Sequence, residues 1–156
     1  TVQAIRAEPT SVIEGALPLL RNAIDDMAVL GTVRDQLVKV NPSRFVVLEE
    51  DLAGRPEGQA VDARLDLSVE GIGLFGVEGG VNPRLALVLT VQAQLASVRE
   101  PRVLLVLRER WERPGGRLTS WTANDGHRLR EELHRATVGI AEKIAADVCA
   151  TCEVPQ

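Results

Sequence analysis

Apolar and polar residues alternate strictly from position 61, with Val61, Ala63, Leu65, Leu67 and Val69 on one side and Asp62, Arg64, Asp66, Ser68 and Glu70 on the other. Period two is the signature of a strand with one face buried and one solvated. The pattern recurs in Leu85, Leu87, Leu89, Val91, Ala93 and Leu95, interleaved with Arg84, Thr90, Gln92 and Gln94. A third run, from Val103 to Arg113, passes through Leu107 into Arg108, Arg110 and Glu112. These runs predict strands over 61–75, 84–97 and 103–113. The connections at 78–83 and 97–102 are rich in Gly, Pro, Asn and Ser and too short for a crossover helix, so the three should form an antiparallel meander.

On either side of these strands the spacing changes. Leu20, Ile24, Met27, Val33, Leu37 and Val40 follow helical spacing, with Arg21, Asp25, Asp26, Arg34, Asp35 and Lys39 at polar positions, and predict a helix over 18–40. Pro18 suits its first turn, Gly31 marks a bend or a close packing contact, and Asn41-Pro42-Ser43 ends it. Leu129, Leu133, Ala136, Ile140, Ile144 and Val148 predict a second long helix over 123–149. Thr122 with Asp125 reads as its capping box, with Asn124 or Asp125 as alternative caps. Between the first helix and the meander, Phe45-Val46-Val47-Leu48 predicts a buried strand over 44–50, leading into a loop over 49–59. Pro114-Gly115-Gly116 reads as a turn into a short strand over 117–121, and Gln3 to Glu8 as an N-terminal strand. The fold class expected is α+β: a two-layer sandwich in which a mainly antiparallel sheet of 4–5 strands carries two long helices on one face.

Composition narrows the function more than it reveals it. A chain of 156 residues, 45% hydrophobic and 26% charged, is the size and polarity of one folded domain. Lys39 and Lys143 are the only lysines and tyrosine is absent, a bias that suits a GC-rich genome. With a formal net charge of −4, scattered arginines, and only Phe45, Phe75, Trp111 and Trp121 as aromatics, neither a phosphate-binding stripe nor a base-stacking platform is visible. Nucleic acid is therefore not an expected partner. No apolar run reaches the ~20 residues that cross a bilayer. The chain begins at Thr1, not methionine, and so suggests a longer gene product in which an export signal or lipid anchor would lie upstream.

Candidate chemistry is sparse. Gly71-Ile72-Gly73-Leu74-Phe75-Gly76 matches the glycine fingerprint of dinucleotide-binding folds, but it leads into another alternating strand, not a helix. Glycines that relieve twist or form a bulge explain it better. Cys149 and Cys152 form a C-x-x-C pair at the end of a helix, the wrong end for its dipole to stabilise a thiolate. A local disulfide between them is geometrically feasible and is expected in an oxidising compartment. His127, Glu131 and His134 share one helical face, opposite the apolar stripe, and read as solvated surface instead of a metal site. Glu49-Glu50-Asp51 lacks the spacing of a calcium loop, and the proline in Asn41-Pro42-Ser43 rules out N-glycosylation. There is no nucleophile elbow and no P-loop. The expectation is a protein that is not an enzyme and uses neither cofactor nor metal.

The segment Val33-Arg34-Asp35-Gln36-Leu37-Val38, the strand Arg44-Phe45-Val46-Val47, the meander from Ala63, and Trp121-Thr122-Ala123-Asn124-Asp125-Gly126 before the helix Leu129 to Val148 together resemble bacterial cell-envelope lipoproteins. The resemblance is to the LpoB, curli-secretion lipoprotein and TolB N-terminal-domain type. It covers most of residues 12–148 and is one of layout, so no binding residue carries over by position. It implies the non-catalytic soluble domain of a periplasmic or outer-membrane lipoprotein. Such a domain would bind other envelope proteins, with an exposed sheet edge as docking surface and a lipid anchor outside this chain as its link to the membrane. The start at Thr1, the Cys149–Cys152 pair and the lack of catalytic groups fit that implication. Two other readings remain. One is a cytoplasmic or periplasmic small-ligand-binding domain with its pocket near Trp111 and Trp121; the other is an auxiliary lipoprotein of a lipid-transport ABC system.

Overall fold

The computed structural model describes residues 11–26, 28–45, 62–76 and 80–152. Three strands, β1 (Ala63–Gly76), β2 (Arg84–Ser97) and β3 (Val103–Arg117), form an antiparallel sheet in the order β1-β2-β3. Helices α1 (Ser11–Asp26) and α2 (Val29–Val40) precede the sheet and α3 (Leu118–Cys152) comes after it. The protein is thus α+β, with its described helices packed on one side of the sheet.

Central strand β2 shows why. Leu85, Leu87, Leu89, Val91, Ala93 and Leu95 all point to the helical layer and are buried. Each fully buried leucine contributes about 1.5–3 kcal/mol. Across β3 they face Leu105, Leu107 and Trp111, through the pairs Leu95↔Leu105, Ala93↔Leu107 and Leu89↔Trp111. Across β1 the alternation slips at a bulge: Val69 pairs with Val91 but Gly71 with Thr90, leaving Glu70 unpaired between them. One extra residue reverses which side each later residue faces. Ala63, Leu65, Leu67 and Val69 therefore face the helices before the bulge, and Ile72 and Leu74 do so after it.

Leu20, Ala23 and Ile24 of α1, Val29, Val33 and Leu37 of α2, and Leu129, Leu133, Ala136, Ile140, Ile144 and Val148 of α3 complete one core. The single helix expected over 18–40 is two helices. Ile24 ends the buried face of α1 and Val29 opens that of α2. Between them Ala28 adopts a left-handed conformation (φ 43, ψ 59), which a continuous helix does not contain. Gly31 is not the break; it lies inside α2.

The other departures from expectation gather around α3. Pro114-Gly115-Gly116 is not a turn but the end of β3, where a bulge sets Ala86 opposite Pro114 and Arg84 opposite Arg117. No separate strand forms over 117–121, because Arg117 is the last residue of β3 and Leu118 begins α3. The helix expected over 123–149 runs from Leu118 to Cys152 but is interrupted: Ala123 is extended, and Asn124, Asp125 and Gly126 all have positive φ. The interruption lets Leu118 and Trp121 on one side and Leu129 on the other all reach the core. Its first turn is capped from a distance. The Asn82 side chain accepts from Thr119 N–H at 3.1 Å and donates to Thr119 Oγ1 at 3.2 Å, while Leu118 N–H donates to the Pro83 carbonyl at 2.9 Å. The expected capping box is not used, since Thr122 Oγ1 donates to the Leu118 carbonyl at 3.2 Å.

Among the described residues the sheet has three strands, not four or five. Phe45 packs against the core, but the rest of the strand expected over 44–50, the 49–59 loop with its Glu49-Glu50-Asp51 trio, and the Gln3 to Glu8 strand lie outside the described residues.

Candidate functional site: the helix-free sheet face and its β3 edge

Residues of β2 that point away from the helices form the middle of a second surface, over which no described helix lies. The register places Asp66, Gln94 and Val106 in one row and Ser68, Gln92 and Arg108 in the next. Gly71, Thr90 and Arg110 form the third row, Gly73, Val88 and Glu112 the fourth, and Phe75, Ala86 and Pro114 the fifth. Gly71 and Gly73 supply no side chain, so β1 is hollow where β2 presents Val88 and Thr90. A cleft of about 220 Å³ results, lined by Glu70, Gly71, Phe75, Val88, Thr90, Arg108 and Arg110. A Cβ at Gly71 would meet nothing within 4 Å, which marks the hollow as open space.

Val88 and Thr90, only 7% and 8% exposed, form the floor of this cleft, and its rim is charged. Phe75 is 43% exposed beside it, a large aromatic surface on a face otherwise rich in ion pairs. Arg108 pairs with Glu70, Arg110 Nη2 with Glu112 Oε2 at 3.1 Å, and Arg64 Nη2 with Asp66 Oδ2 at 2.9 Å. These exposed pairs contribute little to stability but keep the face near electrical neutrality. One hydroxyl, Thr90, lines the cleft, and no histidine or cysteine does. The arrangement suits holding an apolar group within a frame of guanidinium and carboxylate donors and acceptors. It does not supply a nucleophile with a base.

The outer edge of the sheet is the second feature. Among the described residues β3 pairs with β2 alone, so its far side presents unpaired backbone groups. Val103, Leu104 and Val106 are 50%, 37% and 55% exposed along it.

The residues that stood out in the sequence are dispersed. Gly71 to Gly76 are strand residues ending β1, and only Gly71 and Phe75 of the six reach the cleft. His127 Nε2 lies 3.5 Å from Glu131 Oε1 on the surface, His134 is exposed, and no group of three potential ligands converges among the described residues. Cys149 and Cys152 are free thiols; Asn41 Nδ2 donates to Cys149 Sγ at 3.6 Å, and Cys152 is exposed. The tryptophans are packing elements. Trp121 is fully buried, donates from Nε1 to the Gly116 carbonyl at 3.1 Å, and lies under the Arg128 guanidinium at 4.8 Å. A Cβ on Gly115 would overlap the Trp121 ring, and one on Gly139 would overlap Trp111, so neither ring leaves room for even a methyl group on that side.

Two features escaped the sequence reading. A bulge was among the expectations for the Gly71–Gly76 run, but the cleft that it opens depends on the one-residue shift of β1 between Val69 and Gly71, which alternation alone does not show. Glu132, 6% exposed, is held by Arg135 Nη1 at 2.6 Å and faces Arg113 Nε at 3.8 Å, while its Oε2 has no hydrogen-bond partner. Its position on the apolar side of α3 gave no charge signal in the sequence.

No family model matches this chain, and no curated protein does. Among solved structures, the crystal structure of a "putative lipoprotein from Caulobacter crescentus CB15" is similar, with a TM-score of 0.51 over 83% of this chain and 88% of that one at 16% identity. At that identity the likeness is one of fold.

Proposed function

We propose that this chain is the soluble, non-catalytic domain of a bacterial envelope lipoprotein, acting from the periplasmic side of the outer membrane as a binding or assembly accessory for other envelope proteins. The fold shared with the Caulobacter protein over 83% of the chain carries the reading. The sequence resemblance to envelope lipoproteins supports the same reading at the level of a lipoprotein-like fold. No described helix is long and apolar enough to cross a membrane, so an anchor in this reading is a lipid on a preceding segment.

Within the reading, the helix-free sheet face is the working surface. Its cleft admits one apolar side chain of a partner, seated on Val88 and Thr90 beside Phe75, with Arg108, Arg110 and Glu70 bonding to the flanking chain. Catalysis is not required of it.

Two measurements test this. Metabolic labelling of the full-length product with a palmitate analogue, combined with membrane fractionation, should show a lipid-modified protein released by mutation of the acylated cysteine; an unmodified protein in the cytosol ends the proposal. A photo-crosslinking amino acid at Phe75 should trap an envelope protein in cells, whereas the same group at Glu142, on the exposed side of α3, should not. Equal trapping at both positions removes the sheet face from the account.

A further inference from the structure

We infer that two copies of this chain pair edge to edge through β3, antiparallel about a two-fold axis at Trp111, to make one continuous six-stranded sheet. The order of charges along the strand carries this pairing, independently of the lipoprotein reading. β3 spans 15 residues, and among the described residues its outer side carries no strand. It has no lysine, its proline, Pro114, and its bulges come only near its ends, and the charges that would repel a random strand are of both signs, so their order decides which strand can pair.

Symmetry sets the register. In an antiparallel pair about a two-fold axis perpendicular to the sheet, opposed residues share a face, so the axis falls on a residue and not between two. An axis at Arg108, Arg110 or Arg113 sets that arginine against its own copy, and one at Glu109 or Glu112 does the same with a glutamate. An axis at Leu107 sets Arg108 against Val106 and Glu109 against Leu105, leaving both charges opposite aliphatic side chains. Of the axes along β3, one at Trp111 opposes the most unlike charges and no like ones, with Arg108 left against Pro114. Arg110 then opposes Glu112 of the second copy, Glu109 opposes its Arg113, and each pairing occurs twice by symmetry. Within one chain Arg110 and Glu112 pair with each other at 3.1 Å and are 61% and 54% exposed, so the dimer exchanges that one exposed pair for two between copies, while Glu109 and Arg113 keep Lys143 and Glu132 beside them. The helical layers of both copies lie on the same side of the joined sheet, which leaves the two helix-free faces side by side.

The test is a charge exchange read by light scattering after size exclusion and by sedimentation equilibrium, from low to high micromolar concentration. The native chain should dimerise with concentration. R110E and E112R, each of which sets like charges opposite one another twice, should each weaken the dimer by roughly tenfold or more. The double variant R110E/E112R restores opposite charges and should recover most of the native affinity. Circular dichroism establishes that each variant is folded. A chain that stays monomeric throughout, a dimer indifferent to R110E, or a double variant no tighter than the singles overturns the inference.

Discussion

Gly139 lies in the middle of α3, where helix propensity and packing make opposite demands. Replacing a helical glycine with alanine is worth about 1 kcal/mol in favour of the folded state when the site is open. Here it is not open: a Cβ would sit 2.9 Å from Cε3 and 3.2 Å from Cη2 of the Trp111 ring, and closer still to Cζ3. Trp111 is anchored on β3 opposite Leu89, so it can relieve the clash only by moving α3 off the sheet or by swinging its ring outward. Overpacking of this kind costs about 1–3 kcal/mol, and a ring driven into solvent forfeits a comparable amount of burial. Packing therefore wins. Gly139→Ala should lower the unfolding free energy by about 1–2 kcal/mol net, with a fall in Tm of about 2–8 °C for a domain of this size. Urea titration monitored by far-ultraviolet circular dichroism measures it, and a double-mutant cycle with Trp111→Leu assigns the cause. In the leucine background the same substitution should be neutral or stabilising, giving a coupling of at least about 1 kcal/mol. A Gly139→Ala chain that is more stable than the native one, with no coupling to Trp111, would show that the ring does not press on the helix.

Ala28→Gly should stabilise the chain by about 0.5–1 kcal/mol, because a left-handed alanine carries strain of about 1–2 kcal/mol, only part of which glycine's backbone entropy offsets; a lowered Tm would contradict this. Removing both arginines around Glu132, as Arg113→Ala with Arg135→Ala, leaves a buried carboxylate unpaired and should cost about 3 kcal/mol, whereas Glu132→Met should be nearly neutral because both arginines are 57% exposed and resolvate. Equal losses in the two variants by denaturant titration would show that the carboxylate is not what the arginines serve. In the native state a maleimide should modify Cys152 well before Cys149, which is less exposed and in contact with Asn41; mass spectrometry of a labelling time course decides, and a reversed order counts against the described end of α3.

The meander was legible because β1 and β3 each have one wet side and Leu85 to Leu95 repeat the same period, although Ala86, Val88 and Thr90 of β2 are buried on the other face too. The short connections allowed only antiparallel neighbours. The apolar stripe from Leu129 to Val148 was equally plain. What was not legible depends on single residues that shift the phase. Ala28 breaks a helix without being a glycine or a proline, so its residue type carries no sign of the break. Glu70 reverses the facing of β1, so the glycines after it, expected to relieve twist or form a bulge, also leave a hollow on the other face. Pro114-Gly115-Gly116 carries every local mark of a turn, yet Gly115 is there so that the Trp121 ring can lie against the strand backbone, a demand made from beyond that region. The candidate site combines such shifts with cross-strand register, so its individual residues, Val88, Thr90, Arg108 and Arg110, carried no signal of their own.

The remote cap on α3 bears on how the molecule opens. Amide hydrogens at the start of a helix are ordinarily the quickest to exchange, since terminal turns unravel without disturbing anything else. Those of Leu118 and Thr119 are tied to Pro83 and Asn82, across a ladder two strands wide. They should trade with deuterium no sooner than the β1–β2 connection lets go, turning a helix tip into a gauge of whether the strands are still joined.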